Sequence, residues 1–319
     1  MAIVVDILLL LVGFVLLVKA SDIFVDAVSS IATNFKMSKM MIALTVAAFG
    51  TCAPELAISF NSMSSGSGDI ALANVLGSNI VNILLIVGIA VLVKPINVKH
   101  EVIKKELPIL LVVTSMFTLS ILAHELSFTN DFILNSQDGI LFICLFLMFM
   151  FYIVSVVKSK QGVFEHEKAK YSLIKSILLT IVCCVVIILS SDLVVDSAES
   201  LATALNVSTK LITMTVVVIG TSLPEMTMTV IAAKKGEFDI ALGNIIGTNI
   251  FNIGVVLGLP LLVYGGFRSF QFSMIDVLVV QLAAFVLFMF ARNDKVLSKV
   301  EGIVMISIFA IYYLYIFIF

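Results

Sequence analysis

Long apolar runs alternate with short polar segments along the whole chain. Each run holds about 20 residues, which is the length that an α-helix needs to cross the hydrocarbon core of a bilayer. The pattern predicts an all-α membrane protein with ten transmembrane helices. The predicted spans are residues 2–20, 39–64, 69–93, 105–124, 131–157, 171–197, 208–233, 239–263, 272–291 and 300–319.

Composition agrees with lipid as the main surrounding. Of 319 residues, 61% are hydrophobic and 13% are charged, and the mean hydropathy is +1.19. In a soluble domain, roughly a quarter of all residues are charged. The net charge of −2 gives no reason to expect a nucleic-acid partner. The first apolar run has no basic segment before it and no cleavage motif after it, so we interpret it as the first span rather than a signal peptide.

The basic residues predict the orientation of the spans. Cytoplasmic loops of membrane proteins are enriched in lysine and arginine. If the N-terminus is outside, 17 of the 19 basic residues lie in inner loops or at inner span ends, and only Lys210 and Arg268 lie outside. We therefore expect a multi-pass protein of the cell membrane with its N-terminus outside.

The two halves of the chain repeat each other at an offset of 170 residues. Residues 50–88 and 220–258 align without a gap and share 16 of 39 positions, which indicates an internal duplication. Each half holds five spans, and because five is odd the two repeats must cross the membrane in opposite directions. The predicted units are a first repeat at 1–157, a short cytoplasmic linker at 158–170 and a second repeat at 171–319. Inverted repeats of this kind are typical of secondary transporters.

Spans two and seven each carry the motif Gly-Thr-x-x-Pro-Glu near the middle of an apolar run. The proline removes a backbone donor, so carbonyl groups become free to face a cavity. Glu55 and Glu225 follow the two prolines. A lone carboxylate at membrane depth costs several kcal/mol, and no lysine or arginine lies at that depth in the neighbouring spans. We expect a cation or a proton to neutralise each glutamate.

Amide and hydroxyl side chains recur at a spacing of four residues in spans three and eight, which places them on one stripe of each helix. They are Asn74, Ser78 and Asn82 in the first half and Asn244, Thr248 and Asn252 in the second. Their oxygens are hard ligands that suit Na⁺ or Ca²⁺, and we favour Asn82 and Asn252 as ligands. Asn79 and Asn249 lie off the stripes, so ligation and helix bridging both stay open.

Other polar residues in the apolar regions are predicted to be structural. Four aspartates recur in both halves near span ends, where capping or a polar surface is expected; they are Asp22, Asp26, Asp192 and Asp196. His124 and Glu125 are expected to be a solvated pair rather than a proton relay. The four cysteines fit neither a disulfide framework nor a zinc site.

These motifs resemble the alpha repeats of the sodium/calcium exchanger branch of the cation/Ca²⁺ exchanger superfamily. The resemblance implies ten helices, a central site built by spans two, three, seven and eight, and sliding of helices one and six during alternating access. It also implies backbone ligands near Ala48 and Val218, with Ca²⁺ between Glu55 and Glu225. The implied side-chain ligands are Thr51, Glu55, Ser78, Asn82, Thr221, Ser222, Glu225, Thr248 and Asn252.

Two positions depart from the usual motif of this family. Cys52 stands where a serine is usual, so a hard hydroxyl is missing at an expected Na⁺ ligand. Asn252 stands where some prokaryotic and potassium-dependent members have aspartate, which argues against K⁺ dependence. The Gly-Asn-Ala-Ala-Glu-His motif of proton/calcium exchangers is absent, which favours Na⁺ as the coupling ion.

The sequence therefore predicts a Na⁺/Ca²⁺ antiporter, not an enzyme, that transports Ca²⁺ and Na⁺ without a cofactor and acts as a monomer in the bilayer. An antiporter of H⁺ and Ca²⁺, or of another divalent cation, is the alternative of the same class. A channel would conduct without a counter-ion. An intramembrane metalloprotease would need histidine or aspartate ligands in paired spans, and the sequence shows none.

Overall fold

Helices form nearly all of the protein. The computed structural model describes residues 2–66, 68–126, 134–159, 169–204, 220, 222–267 and 274–318. The helices are α1 (Ala2–Asn34), α2 (Lys39–Thr51), α3 (Ala53–Ser64), α4 (Gly68–Val93), α5 (Val102–His124), α6 (Ser136–Ser159), α7 (Leu173–Ala204), α8 (Leu223–Lys235), α9 (Phe238–Tyr264), α10 (Met274–Asp294) and α11 (Lys299–Ile318).

Eight helices in the described part of the chain are long and apolar enough to cross a membrane, or up to nine if the bent pair α2 and α3 is one span. They coincide with nine of the ten predicted spans. The remaining span, residues 208–233, is described only from Ser222 onward, where it contains α8. Most of the linker predicted at 158–170 also lies outside the described ranges.

The predicted end of the first span is wrong. The sequence places it at residue 20, but α1 continues to Asn34. Asp22 and Asp26 therefore lie inside the helix and do not cap it. Both are neutralised by lysines far away in the sequence, because Lys235 Nζ lies 3.1 Å from Asp22 Oδ1 and 2.5 Å from Asp26 Oδ1, and Lys170 Nζ lies 2.6 Å from Asp26 Oδ2. The helix continues through both positions, and the lysines neutralise the two carboxylates there.

The same correction applies to the sixth span. The sequence places its end at residue 197, whereas α7 continues to Ala204. Asp192 and Asp196 lie exposed within this helix, so they are not caps and the predicted polar surface is confirmed for them. The long helices α1 and α7 pack against each other at one side of the bundle.

The helices α4 and α9 form the centre of the bundle. About four fifths of each span is buried, 78% for α4 and 83% for α9, against 22% for α1 and for α11. The outer helices instead expose large apolar side chains, such as Val15 on α1 and Ile311 on α11. The apolar exterior suits contact with lipid. The buried centre contains asparagines, and polar residues inside a membrane bundle usually mark its functional site.

The chain bends by 49° between α2 and α3. Cys52 stands at the bend with φ −81° and ψ 5°, and Pro54 occupies the first turn of α3. Proline lacks the N–H that would bond to Gly50, four residues earlier, so the helix cannot continue straight. Ser222 has a similar backbone conformation before α8, with φ −90° and ψ 8°, and Pro224 takes the same place in that helix.

Short pairings join the loops at both ends of the bundle. Strands β1 (Ile96–Asn97) and β2 (Val296–Leu297) pair antiparallel, with Ile96 opposite Leu297. At the other end, the Phe267 amide donates to the carbonyl of Leu134 over 3.1 Å. These pairings fix the ends of α4, α5, α10 and α11 at one side and those of α6 and α9 at the other.

Candidate functional site

Two glutamates are buried at the centre of the bundle, and no described residue donates a hydrogen bond to their carboxylates. Glu55 and Glu225 lie in the first turns of α3 and α8, directly after the prolines, and their side chains are 1% and 0% exposed. None of their four carboxylate oxygens accepts a hydrogen bond. The N-terminus of a helix favours negative charge, but a buried carboxylate still costs several kcal/mol unless a cation compensates it. The site as folded is therefore short of positive charge.

Neutral oxygens without partners also lie buried on the helices that carry or flank the glutamates. Such atoms normally find a hydrogen-bond partner when they are buried, so a group of them marks a place where a ligand belongs. Five belong to the predicted ligand set, namely Ser78 Oγ and Asn82 Oδ1 on α4, Ser222 Oγ before α8, and Thr248 Oγ1 and Asn252 Oδ1 on α9, and their side chains are almost fully buried. Asn244 Oδ1 and Asn249 Oδ1 on α9 are outside that set but are buried without a partner in the same way.

The segment around the bend brings the two halves of the site together. The carboxylates of Glu55 and Glu225 lie close enough to repel each other. The Cys52 side chain is fully buried within reach of both, and its thiol lies beside the hydroxyls of Thr51 and Thr248. Thr51 also faces Glu225. Residues of the two Pro-Glu motifs therefore lie near each other in the structure, while their joint role as one ion site stays a prediction.

The backbone carbonyls one turn before Thr51, on α2, accept hydrogen bonds from nearby residues. The Thr51 hydroxyl donates to the carbonyls of Ala47 and Ala48 over 3.3 and 3.4 Å. The Ala48 carbonyl also accepts the Cys52 amide over 3.2 Å. The corresponding Thr221 and the predicted backbone ligand near Val218 lie outside the residues that the structure describes.

Widened helical turns accompany the ligand residues. A π-helical segment at Val81–Ile86 contains Asn82, and another at Asn252–Leu257 begins with Asn252. A third at Ala43–Ala47 precedes the bend. Such turns occur often at functional sites, because the extra residue turns side chains away from the regular helical stripe.

Asn74 and Asn244 hold helices together and do not point freely into the site. The Asn74 amide donates to the Glu55 carbonyl over 3.1 Å and to Ser59 Oγ over 3.4 Å. The Asn244 amide donates to Thr229 Oγ1 over 3.1 Å. These two asparagines share a stripe with the ligands, but each uses its amide to brace its helix against the one that carries the glutamate.

The helix-bridging alternative holds for Asn79. Its amide donates to the carbonyl of Asn249 over 3.5 Å, and its oxygen accepts the amide of Asn252 over 3.1 Å. Asn249 instead donates to Ile245 of its own helix over 2.6 Å. Asn79 therefore joins α4 to α9 at the depth of the site, whereas its counterpart in the second half does not reach across.

The donor set consists of carboxylate, hydroxyl and amide oxygens. Within the described ranges, no three His, Cys, Asp or Glu side chains come together as a transition-metal site would require. Two carboxylates with neutral oxygens around them suit hard cations such as Na⁺ and Ca²⁺. The four cysteines are free thiols, and only Cys52 lies among the site oxygens.

A contact that the sequence did not predict supports the bend. The Cys184 thiol of α7 donates to the Gly50 carbonyl over 2.9 Å. This is the carbonyl that Pro54 leaves without its helical donor. The proline could have indicated an unbonded carbonyl, but no sequence pattern shows that a cysteine 134 residues away would occupy it.

His124 lies at the end of α5 and pairs with Asp138 at the start of α6. Its Nε2 lies 2.9 Å from Asp138 Oδ2, and the Asn135 amide nitrogen Nδ2 lies 3.5 Å from the same ring nitrogen. The predicted partner Glu125 has a side chain that is not among those described. The pairing holds the end of α5 against the start of α6.

Comparison with known proteins places these features in a family context. The model of the family described as "Sodium/calcium exchanger protein" matches residues 5–155 and 175–318. The putative antiporter CaxA of Alkalimonas amylolytica is 36% identical over 309 residues, covering 94% of this chain and 94% of its own length. The sodium/calcium exchanger MaX1 of Methanosarcina acetivorans is 30% identical over 340 residues, covering 96% and 97%.

The fold is also similar to that of a solved exchanger. A structure of the sodium-calcium exchanger NCX_Mj, soaked with Na⁺, superposes with a TM-score of 0.82 at 28% identity. The match covers 97% of this chain and 98% of the other. The likeness therefore extends over the whole bundle rather than over one repeat.

Proposed function

Because the chain belongs to the sodium/calcium exchanger protein family, we propose that it exchanges Na⁺ for Ca²⁺ across a membrane at one central site between Glu55 and Glu225. Members of this family are transporters rather than enzymes. The proposed side-chain ligands are those that the motifs predict, namely Thr51, Glu55, Ser78, Asn82, Thr221, Ser222, Glu225, Thr248 and Asn252.

The observation that carries this proposal is the set of buried oxygens without partners. In the part of the chain that the structure describes, the four carboxylate oxygens of Glu55 and Glu225 and five hydroxyl or amide oxygens of the motif residues are buried without a hydrogen-bond partner. A folded protein tolerates such a group when a cation supplies the missing charge and coordination. The two carboxylates balance one Ca²⁺ or about two Na⁺.

Exchange follows from competition for this charge. Once Ca²⁺ occupies the pair of carboxylates, Na⁺ cannot be held by the same oxygens, and the reverse is also true. A site that holds either load but not both couples the two fluxes, provided that it opens to one side at a time. A third Na⁺, which the family resemblance implies, would make each cycle move net charge.

The contacts between loops support the proposed ten-span topology. If the spans alternate as predicted, the inner connections lie near residues 35–38, 94–101, 158–172, 236–238 and 295–298. Ion pairs join several of them, with Lys39 at 2.9 Å from Glu237, Lys99 at 2.7 Å from Asp239, and Lys170 and Lys235 both on Asp26. The pairing of β1 with β2 joins the connection near 94–101 to the one near 295–298.

Contacts at the opposite end agree with the same topology. Phe267, in the fourth predicted outer connection, bonds to Leu134 before α6 and packs so closely on Gly68 that a Cβ there would clash with its ring. Connections predicted on one side therefore touch each other. Gly66 and Gly236, at an offset of 170 residues, both have φ near +80° at the ends of α3 and α8, as a duplicated unit would. We place the protein in the cell membrane as a monomer with its N-terminus outside.

The test is uptake of radioactive Ca²⁺ into proteoliposomes that contain the purified protein. An outward Na⁺ gradient should drive uptake, and an equal gradient of K⁺ or choline should not. Uptake driven by a pH gradient without Na⁺ would replace this proposal by the proton-coupled alternative. Uptake without any counter-ion gradient, at a rate that no gradient changes, would indicate a channel.

A further inference from the structure

A basic cavity lies at the end of the bundle where β1 and β2 pair. Its volume is about 310 Å³. Ile103 and Phe288 form its apolar wall. The remaining lining residues carry basic side chains and are His100, Lys104, Arg292 and Lys295. None of these residues belongs to the proposed cation site, so the cavity needs a separate account.

The two-stranded pairing builds this cavity. The Val98 amide donates to the Lys295 carbonyl over 2.8 Å, next to the pairing of Ile96 with Leu297. Lys295 has φ +58°, a conformation that residues with a side chain seldom adopt. The connection between α4 and α5 is thereby held against the connection between α10 and α11. The basic side chains in and beside these two connections line one opening.

The cations of the cavity are not neutralised by the protein. In the part of the chain that the structure describes, Lys104, Arg292 and Lys295 form no ion pair, whereas Lys39, Lys99 and Lys235 elsewhere at this end each contact a carboxylate. All three cavity cations are exposed. Three like charges around one opening repel each other, so an anion bound between them would be favoured.

The neighbouring surface of α10 is apolar and faces outward. Leu278, Leu282, Phe285 and Met289 are each between 44% and 49% exposed and are spaced by four, three and four residues. This spacing puts them on one stripe of the helix, and the next position on that stripe is Arg292. An acyl chain along the stripe would end at the guanidinium group.

We propose that this cavity binds the headgroup phosphate of an anionic phospholipid, with an acyl chain of the same lipid along the α10 stripe. The cavity lies where α5 begins and α10 ends, at the level where a bilayer places its headgroups. Arginine binds phosphate through a planar fork, and lysine adds point charges. Basic pockets between membrane helices bind such headgroups elsewhere. Ile103 and Phe288 would contact the glycerol region.

The test compares short-chain phosphatidylglycerol with phosphatidylcholine on the purified protein in detergent, measured by native mass spectrometry and by thermal unfolding. The variant carries Lys104→Gln, Arg292→Gln and Lys295→Gln. Each basic residue strengthens attraction to an anionic lipid about fivefold, so the variant should bind phosphatidylglycerol about a hundredfold more weakly. The matched control removes three charges from the same end of the protein through Lys19→Gln, Lys36→Gln and Lys234→Gln, and it should bind like the unmodified protein.

Several results would overturn the proposal. Equal binding of phosphatidylcholine and phosphatidylglycerol would show that the headgroup charge is not recognised. Equal loss in the control variant would show that only the net charge matters. Equal stabilisation by inorganic phosphate would mean that a free anion, not a lipid, fits the cavity. If the triple variant does not fold, Arg292→Gln against Lys234→Gln gives the same comparison, with an expected difference of about fivefold.

Discussion

The side-chain amide of Asn252 donates a hydrogen bond to the side-chain oxygen of Asn79, with 3.1 Å between Nδ2 and Oδ1. Both residues are buried at the junction of α4 and α9. Because Nδ2 of Asn252 is occupied in this way, its Oδ1 is the end that faces the site, and that oxygen has no other partner. Asn79 thus determines which atom of Asn252 a cation would meet.

Replacing Asn79 by alanine should weaken Ca²⁺ transport without removing a proposed ligand. The loss of one buried hydrogen bond of about 1 kcal/mol corresponds to roughly a fivefold higher Ca²⁺ concentration for half-maximal exchange. Asn249→Ala is the comparison, because its amide bonds only to Ile245 of its own helix. We expect a smaller effect there, measured as Ca²⁺ uptake across a concentration series. Equal curves for Asn79→Ala and the unmodified protein would refute the positioning role.

Neutralising either central glutamate should abolish Ca²⁺ exchange and leave the protein folded. Glu55→Gln or Glu225→Gln removes half of the negative charge of the site, which weakens a divalent ion most. In Ca²⁺-free buffer each variant should be at least as stable as the unmodified protein, because a buried uncompensated carboxylate has been removed. Added Ca²⁺ should raise the melting temperature of the unmodified protein but not of the variants.

Glu237→Gln is the matched control for these two variants. Glu237 is close to Glu225 in the chain, but it forms an ion pair with Lys39 at 2.9 Å in which each side chain is about a quarter exposed. Pairs of this kind contribute about 0–1 kcal/mol. Exchange and Ca²⁺-dependent stabilisation should both persist in this variant. Near-normal Ca²⁺ flux in Glu55→Gln or Glu225→Gln would remove those carboxylates from the mechanism.

Cys52 is the motif position where the two halves differ in ligand chemistry, since Ser222 keeps a hydroxyl. The Cys52 thiol is buried beside Thr51 and Thr248 and near both carboxylates, as a lining residue would be. A neutral thiol is a poor Na⁺ ligand. Cys52→Ser should therefore lower the Na⁺ concentration for half-maximal exchange and change Ca²⁺ affinity less.

The measurement for Cys52 is Na⁺-dependent Ca²⁺ flux across a Na⁺ titration at fixed pH. Cys144→Ser is the control, because Cys144 is exposed on α6, and its curve should not move. Superimposable curves for Cys52→Ser and the unmodified protein would show that Cys52 is a packing residue. Loss of Na⁺ dependence in Cys52→Ser would favour the proton-coupled alternative.

The proposed topology predicts opposite accessibility for two loops. A cysteine introduced at Gln161, in the predicted cytoplasmic linker, should react with an impermeant thiol reagent only from the cytoplasm. A cysteine at Ser64, exposed at the end of α3, should react only from outside. Both variants are made in a Cys144→Ser background so that the exposed native thiol does not contribute. Reaction of Gln161→Cys in intact cells would reverse the orientation.

The sequence was sufficient for those parts of the fold that depend on neighbouring residues. The apolar runs locate the spans, and Pro54 locates the bend, because both effects act within one or two turns of the helix. The end of α1 was not predicted, because Asp22 and Asp26 were expected near a span end, whereas inside the helix they pair with Lys170 and Lys235 from more than 140 residues away.

The same distinction applies to the candidate site. Glu55 and Glu225 were predicted because an unpaired carboxylate in an apolar run is costly wherever the helix packs. Asn74 shares its stripe with Asn82, yet it donates to the Glu55 carbonyl while Asn82 has no partner. Spacing on one helix cannot separate the two, because the difference lies in how closely α3 approaches each position.

The length of α1 couples this helix to the thickness of the surrounding bilayer. Its 33 residues extend about 50 Å, whereas the hydrocarbon layer is about 30 Å thick. The helix must tilt or protrude, and any movement of α1 changes how far the surrounding lipid is stretched or compressed. We expect exchange rates to change between thin and thick bilayers of one headgroup type, while Ca²⁺ affinity in detergent stays constant. Equal rates in both bilayers would contradict this expectation.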